Sequence, residues 1–324
     1  MTLRWTRDGL DAGSDGVLAL PLNLLDNLLR GVGQVMFQNN SYTGVLFVAG
    51  IACNSWVLAL AVVLGAGAGT LVAAWLGAKR DLLRSGMFGF NGALVALAVL
   101  VFLTPSALTW ACALLAAACA SILMAALLVH QPRLPALTAP FVITTLCVFL
   151  AAARLGRLEP SGLLPTAELP QTATVEGVVT LTTLIHGVFT GVGQVFFQNS
   201  ICSGLLFVAA LLVASPRAAV MALTGSLLGL LVAWAMGAAE PAIRAGMYGY
   251  NSALVALALA CVFLRRSPAG YAYALLAAGI TPFVAAATTA ALAPLGMPAL
   301  TLPFVLVAWL FLRAAPAFTR VQVQ

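Results

Sequence analysis

The chain has 324 residues, of which 62% are hydrophobic and only 7% charged, with a formal net charge of +6. A water-soluble domain carries roughly 25% charged residues, so this chain cannot cover itself with a wettable surface and a lipid bilayer has to be its solvent. The positive charge is scattered through short loops without interleaved aromatics, which excludes nucleic acid as a partner. A membrane barrel is excluded as well, because runs such as Leu58-Ala-Leu-Ala-Val-Val-Leu64 do not alternate between apolar and polar residues.

In chain order, residues 1–15 predict a polar N-terminal tail with no cleavable signal, carrying Arg4, Arg7, Asp8, Asp11 and Asp15. A first unit follows over residues 16–153. Its first helix is predicted from about 16 to 37, with Asp26 and Arg30 four residues apart and placed to pair on one face. Spans at about 44–62 and 64–78 come next, then a polar loop from Lys79 to Arg84. The segment from Gly86 to about Leu103 opens on Gly86, Gly89, Asn91 and Gly92 and is stopped by Thr104-Pro105-Ser106. It is short for a crossing and reads as a re-entrant half-helix, which is tolerated at membrane depth only against protein or a water-filled path. Helices at about 107–129 and 136–153 complete the unit.

Residues 154–174, rich in Pro, Gly and Glu, predict a linker. A second unit over 175–313 repeats the plan, with spans at about 175–198, 204–215 and 218–239, a half-helix from Gly246 to about Leu264, and helices at 269–292 and 298–313. A polar tail, 314–324, ends the chain.

The two units share sequence as well as plan. Gly31-Val-Gly-Gln-Val-Met-Phe-Gln-Asn-Asn40 returns as Gly191-Val-Gly-Gln-Val-Phe-Phe-Gln-Asn-Ser200, 160 residues on. At the same shift, Gly86-Met-Phe-Gly-Phe-Asn-Gly-Ala-Leu-Val95 matches Gly246-Met-Tyr-Gly-Tyr-Asn-Ser-Ala-Leu-Val255. Pro135-Ala-Leu-Thr-Ala-Pro-Phe141 matches Pro298-Ala-Leu-Thr-Leu-Pro-Phe304, shifted by 163. An odd number of crossings per unit makes the second copy enter from the opposite side. The predicted fold is therefore an all-α polytopic membrane protein of two inverted-topology repeats. Each has five transmembrane helices plus one re-entrant half-helix, and the pore lies at the repeat interface. The balance of basic residues leans towards cytoplasmic N- and C-termini.

The duplicated polar side chains are neutral: Gln34 and Gln194, Gln38 and Gln198, Asn39 and Asn199, Asn91 and Asn251, Thr138 and Thr301. A charged permeant calls for charge rings or a carbonyl filter, and a proton-driven pump calls for intramembrane carboxylates or histidines. The paired motifs offer neither. No P-loop occurs, the six cysteines lack C-x-x-C spacing, and no Ser-His-Asp, Cys-His or paired-carboxylate set is recognisable. The expectation is no enzyme, no cofactor and no metal. Amides, hydroxyls and broken-helix carbonyls suit a small neutral solute with many hydrogen-bonding groups. Phe37 and Phe197, with Phe90 and Tyr250 and the leucines Leu94 and Leu254 one turn on, predict a flat slot that rejects a hydrated ion. Plainer roles stand beside these. The glycines Gly31, Gly33, Gly191 and Gly193 suit helix packing, Asn91 and Asn251 suit caps on their own half-helices, and Thr138 and Thr301 suit helix starts. His186, which stands where the first unit has Asp26, suits an interface.

The three doubled motifs together resemble the urea transporter family over about residues 26–311. The resemblance, to a bacterial member, implies a multi-pass inner-membrane protein and a homotrimer with one pore per protomer. Its solute would be urea, moving passively through a channel-like filter. It further implies that Gln34, Val35 and Phe37 line one mouth with Phe90 and Leu94, and that Gln194, Val195, Phe197, Tyr250 and Leu254 line the other. Thr138 and Thr301 would sit at the narrow centre. Two positions depart from the pattern: Gln194 stands where some relatives carry Glu, and Tyr250 stands where Phe is common. The Tyr250 hydroxyl is expected to add polarity to the slot or to reach a partner on the lipid side. Rival readings are a path for water, short amides or ammonia, an ion-coupled transporter, and a scaffold that moves nothing. Asn91-Gly-Ala and Asn251-Ser-Ala disfavour a water channel marked by Asn-Pro-Ala.

Overall fold

A computed structural model describes residues 4–11, 19–130, 134–170 and 175–324; the predicted start of the first helix and the end of the linker lie outside the described residues. The first half contains α1 (Ala19–Gln34), α2 (Ser41–Ala52), α3 (Trp56–Trp75), the short α4 (Arg80–Arg84), α5 (Phe90–Phe102), α6 (Ala107–His130) and α7 (Ala139–Leu155). The second half repeats the series with α8 (Leu181–Gly193), α9 (Ile201–Ala214), α10 (Pro216–Ala235), α11 (Glu240–Arg244), α12 (Gly249–Leu257), α13 (Pro268–Leu292) and α14 (Leu302–Ala314). Five helical stretches among the described residues are long and apolar enough to cross a bilayer, and Leu181–Phe196 with Ile201–Ala214 makes a sixth as a pair bent by 76°. The protein is a multi-pass helical membrane protein.

Two boundaries need correction, and the simpler is that the span expected from about 175 starts at Leu181, where Thr180 caps it. The span expected over 44–62 ends at Ala52, and the next helix starts at Trp56 instead of near residue 64. The apolar run hides the cause, which is polar and local: the Ser55 side chain accepts from the Leu58 N–H and starts a new helix. At about 1.5 Å per residue, the 12 residues of α2 reach only about 18 Å. The tail predicted at the N-terminus also has structure. Arg4–Thr6 and Gly9–Asp11 form a two-stranded hairpin, β1 and β2, whose Asp8 carbonyl accepts from the Ser41 N–H at 3.0 Å.

The predicted half-helix of the first half is α5, with 13 residues and a run buried without interruption from Phe90 to Leu100. Its equivalent α12 continues through a wider helical turn over Ala258–Phe263. A glycine in the left-handed region leads into each, Gly86 with φ +74° and Gly246 with φ +72°. A Cβ on Gly86 would fall on the backbone of Gly31, and one on Gly246 on that of Gly191. Here the paired glycines are packing sites that bring α1 onto the entry of α5, and α8 onto that of α12.

The halves meet through equivalent residues. Thr43 Oγ1 on α2 donates to the Ala210 carbonyl on α9 at 3.0 Å, while Ser203 Oγ on α9 donates to the Gly50 carbonyl on α2 at 2.8 Å. Both members of this exchange are 160 residues apart from their counterparts. Between them Phe47 and Phe207, again an equivalent pair, stack edge to face at 5.2 Å. Reciprocal contact of this kind is what two copies of one surface make about a two-fold axis.

The chain after each last helix returns to the end of α5 in the first half and to the end of the Glu240–Phe263 stretch, itself long and apolar enough to cross a bilayer, in the second. Thr104 N–H donates to the Glu159 carbonyl and Ser161 N–H to that of Phe102; Arg265 N–H donates to Gln322 and Gln324 N–H to Phe263. These two clasps satisfy backbone groups at the ends of α5 and α12 that the helices leave open.

Candidate functional site

Immediately after α1 and α8, the chain tightens into a turn that ends on a phenylalanine in the left-handed region, Phe37 with φ 62° and Phe197 with φ 56°. A bulky side chain there is strained by roughly 1–3 kcal/mol and persists only where its surroundings hold it. The glutamines do the holding. Gln38 Nε2 donates to the Met36 carbonyl at 2.8 Å and Gln198 Nε2 to that of Phe196 at 2.6 Å, both buried. Gln34 Nε2 reaches the Ser85 carbonyl at 2.8 Å and Gln194 Nε2 the Ala245 carbonyl at 3.0 Å, tying each turn to the loop before its half-helix. Within these buried turns Gln34, Phe37, Gln194 and Phe197 stay partly accessible, whereas Val35 and Val195 are buried.

The other two non-glycine residues with positive φ among the described residues are Leu137 and Leu300, both at 51°. Each directs its carbonyl at an asparagine: Asn91 Nδ2 donates to Leu137 O and Asn251 Nδ2 to Leu300 O, both at 3.3 Å. The same asparagines accept from backbone amides through Oδ1, Asn91 from Phe141 N–H at 3.1 Å and Asn251 from Phe304 N–H at 3.3 Å. Phe141 and Phe304 are the third residues of α7 and α14, where a capping side chain normally binds. Thus Asn91 and Asn251 do not cap their own half-helices, as expected from sequence. They cap the neighbouring ones.

That exchange frees the threonines. Thr138 and Thr301 occupy the N-cap positions of α7 and α14, yet neither side chain caps its helix. Their hydroxyls meet each other instead, Oγ1 to Oγ1 at 2.6 Å, buried, with 163 residues of chain between them. A hydroxyl has one hydrogen and two lone pairs, so the pair keeps one hydrogen and further lone pairs for a third group. The first and second halves touch through chemistry here as well as through packing.

Aromatic rings are exchanged between the halves. Phe37 packs edge-on against Phe263 and Phe304 of the second half, at 6.3 and 6.1 Å. Phe197 packs edge-on against Phe102 and Phe141 of the first half, at 5.7 and 6.4 Å. Each phenylalanine strained by its own turn is seated in the opposite half. Phe90, Leu94 and Leu254 lie in the core, and Tyr250 remains partly accessible. The Tyr250 hydroxyl donates to the Leu300 carbonyl at 2.7 Å. Among the described residues, no cluster of three or more His, Cys, Asp or Glu is placed to hold a metal.

A family model described as "UT: Urea transporter" matches residues 25–316 of this chain. The chain belongs to the urea transporter family. Named relatives include "Urea transporter 1" of Ovis aries, 28% identical over 303 residues, and that of Rattus norvegicus, 29% identical over the same length. In both cases the alignment covers 90% of this chain and 77% of the relative.

Within this member of the family, sequence reasoning missed three pairs: Leu137 and Leu300, Phe141 and Phe304, Phe102 and Phe263. The first two lie inside a doubled motif, so duplication marked them, but a positive φ on leucine has no sequence signature. Phe102 and Phe263 lie outside every motif, and only the half-helix end on which each sits relates them.

Proposed function

We propose that the protein is a passive, channel-like path for urea, built between two inverted-topology repeats with α5 and α12 as re-entrant half-helices. In this reading the path runs past Gln34, Val35, Phe37, Phe90 and Leu94 at one mouth and past Gln194, Val195, Phe197, Tyr250 and Leu254 at the other. Thr138 and Thr301 stand at its centre. Urea is planar, donates through four N–H bonds and accepts through one carbonyl, so it needs flat apolar walls with oxygen acceptors along the edges.

The observation that carries the reading is the bond between Thr138 and Thr301. Two buried hydroxyls from equivalent positions face one another because asparagines have taken over their capping duty. A bond that spans the two halves is one that a hydrogen-bonding solute can replace at small net cost, since donor and acceptor are exchanged in kind. An ion gains no such exchange, because neutral hydroxyls and aromatic edges do not repay its desolvation. A homotrimer with one path per protomer, in the bacterial inner membrane with both termini cytoplasmic, completes the proposal.

Flux in proteoliposomes loaded in turn with urea, ammonium and chloride tests the class. Urea is expected to equilibrate rapidly, at a rate independent of Na⁺ and of a proton gradient. Fast ammonium conduction without urea flux would sink the idea. Urea uptake that stops when Na⁺ is removed would instead mark an ion-coupled transporter.

A further inference from the structure

The site described above uses no charge, but three arginines come together at one end of α13. Arg265, Arg266 and Arg320 line a cavity of about 650 Å³ with Ser267, Thr319 and Gln322, and no acidic side chain lines it. Arg265 Nη1 donates to Gln322 Oε1 at 3.0 Å, while the ion pairs found among the described residues involve neither Arg266 nor Arg320. The clasp between Arg265 and Gln322 holds the two segments together, so cations that repel one another are fixed around one space.

A second cavity of about 650 Å³ shares Ala269, Thr319 and Arg320 with the first and continues over Tyr273, Leu276 and Phe318. This continuation is apolar and open outward, with Leu276 65% and Phe318 50% exposed. A soluble anion would use the arginines and leave the groove empty. A hydrocarbon would use the groove and leave the arginines unpaired. An amphiphile with a negative head uses both.

The feature is not a by-product of the fold. The first half has the same clasp, Leu103 bridging Pro160 as Leu264 bridges Val323. There, however, Thr104 and Pro105 follow the bridge where Arg265 and Arg266 follow it in the second half. The pair of arginines after the bridge belongs to the second half alone.

We propose that this is a binding site for an anionic phospholipid, its phosphate among Arg265, Arg266 and Arg320 and an acyl chain along Tyr273 and Leu276. Guanidinium groups pair with phosphate oxygens in a two-pronged geometry, and each cation near a membrane surface strengthens attachment of an anionic lipid roughly fivefold.

Native mass spectrometry of the purified protein with phosphatidylglycerol, cardiolipin and phosphatidylcholine at equal concentration tests it. The two anionic lipids are expected to stay bound and phosphatidylcholine to be lost. Replacing the three arginines together (Arg265→Gln, Arg266→Gln, Arg320→Gln) should weaken anionic-lipid retention roughly a hundredfold. Arg313→Gln, outside the cavity, should leave it unchanged, and Leu276→Asn should weaken retention through the groove alone. Elution volume and helical circular dichroism report whether the triple variant folds, and Arg266→Gln, which removes no ion pair, gives the same reading if it does not. Unchanged retention in Arg266→Gln or in a folded triple variant, or an equal loss in Arg313→Gln, overturns the proposal. Equal affinity for glycerol phosphate and for phosphatidylglycerol also overturns it, because the groove would then contribute nothing.

Discussion

The carbonyls of Leu137 and Leu300 are the same group in two surroundings. Both belong to residues held at φ 51°, and both accept from an asparagine at 3.3 Å. Leu300 accepts a second time, from the Tyr250 hydroxyl at 2.7 Å. A phenylalanine stands at the matching position in the first half, Phe90, and has nothing to donate. A carbonyl has two lone pairs, so the side chains described fill Leu300 and leave Leu137 with capacity to spare. Duplication has kept the backbone, the trans-capping and the strained turns alike in both halves. The side chains at the edges have diverged. On the proposed path, a symmetric frame would therefore carry an unequal pair of mouths, and the tests below either level that inequality or remove the symmetric part beneath it.

The largest effect belongs to the place where the halves coincide. Replacing both threonines, Thr138→Val with Thr301→Val, keeps shape and removes the central hydroxyls. Urea flux is expected to fall at least about tenfold, the factor that about 1.4 kcal/mol of lost hydrogen bonding produces. Stability should hardly change in the double variant, because both partners leave together. Either single variant orphans a buried hydroxyl and should lose about 1–3 kcal/mol by thermal unfolding. Wild-type flux in the double variant would remove the threonines from the path.

The asparagines come next. Asn91→Ala strips the Phe141 amide and the Leu137 carbonyl of their side-chain partners, at a cost of about 2–4 kcal/mol. Asn251→Ala leaves Leu300 with Tyr250 and should cost about 1 kcal/mol less. In each, the threonine is expected to turn back to cap its own helix, break the central bond and lower urea flux. Equal losses in the two thermal unfolding curves would show that Tyr250 does not compensate.

Much of this frame is legible in the sequence, for physical reasons that differ by feature. Duplication is visible because glycines such as Gly86 and Gly246 cannot be exchanged without a Cβ falling on the backbone of Gly31 and Gly191. The bilayer is visible because so few residues carry charge. Ser55 is hard to see in the sequence because one polar residue barely changes the average of an apolar run, although a single side-chain oxygen suffices to start α3. The helices that Asn91 and Asn251 cap are illegible because capping is read from neighbours in sequence, while a membrane interior also lets a distant helix supply the cap. The ring partners of Phe37 were illegible for the same reason. Phe263 and Phe304 approach it only once the halves have closed on each other.

Levelling the mouths directly has a smaller, signed effect. Tyr250→Phe should release the Leu300 carbonyl, lose about 1 kcal/mol of stability, and tighten apparent urea affinity on that side severalfold. Phe90→Tyr should do the reverse at Leu137. The check is flux from vesicles of fixed protein orientation, with urea loaded first inside and then outside. Affinities that differ between faces in the wild type should converge in Tyr250→Phe, and no change on either face would detach both carbonyls from the path.

The smallest effect is expected where the asymmetry lies outside the path. Asn54 Nδ2 donates to Gln198 Oε1 at 2.9 Å, joining the end of α2 to the turn behind Phe197. The position 160 residues on is Ala214, which offers Gln38 no such donor. Both glutamines already brace their turns through the amide nitrogen, so the extra bond steadies one turn without creating it. Asn54 is itself exposed, and its amide can turn to water when the bond is lost. Asn54→Ala should therefore cost no more than about 1 kcal/mol and leave urea flux within a factor of two of wild type. A flux loss approaching that of the threonine pair would mean that the placement of Phe197 depends on this contact. The two mouths would then differ in rigidity as well as in acceptor count, and the Tyr250→Phe variant alone could not make them equal.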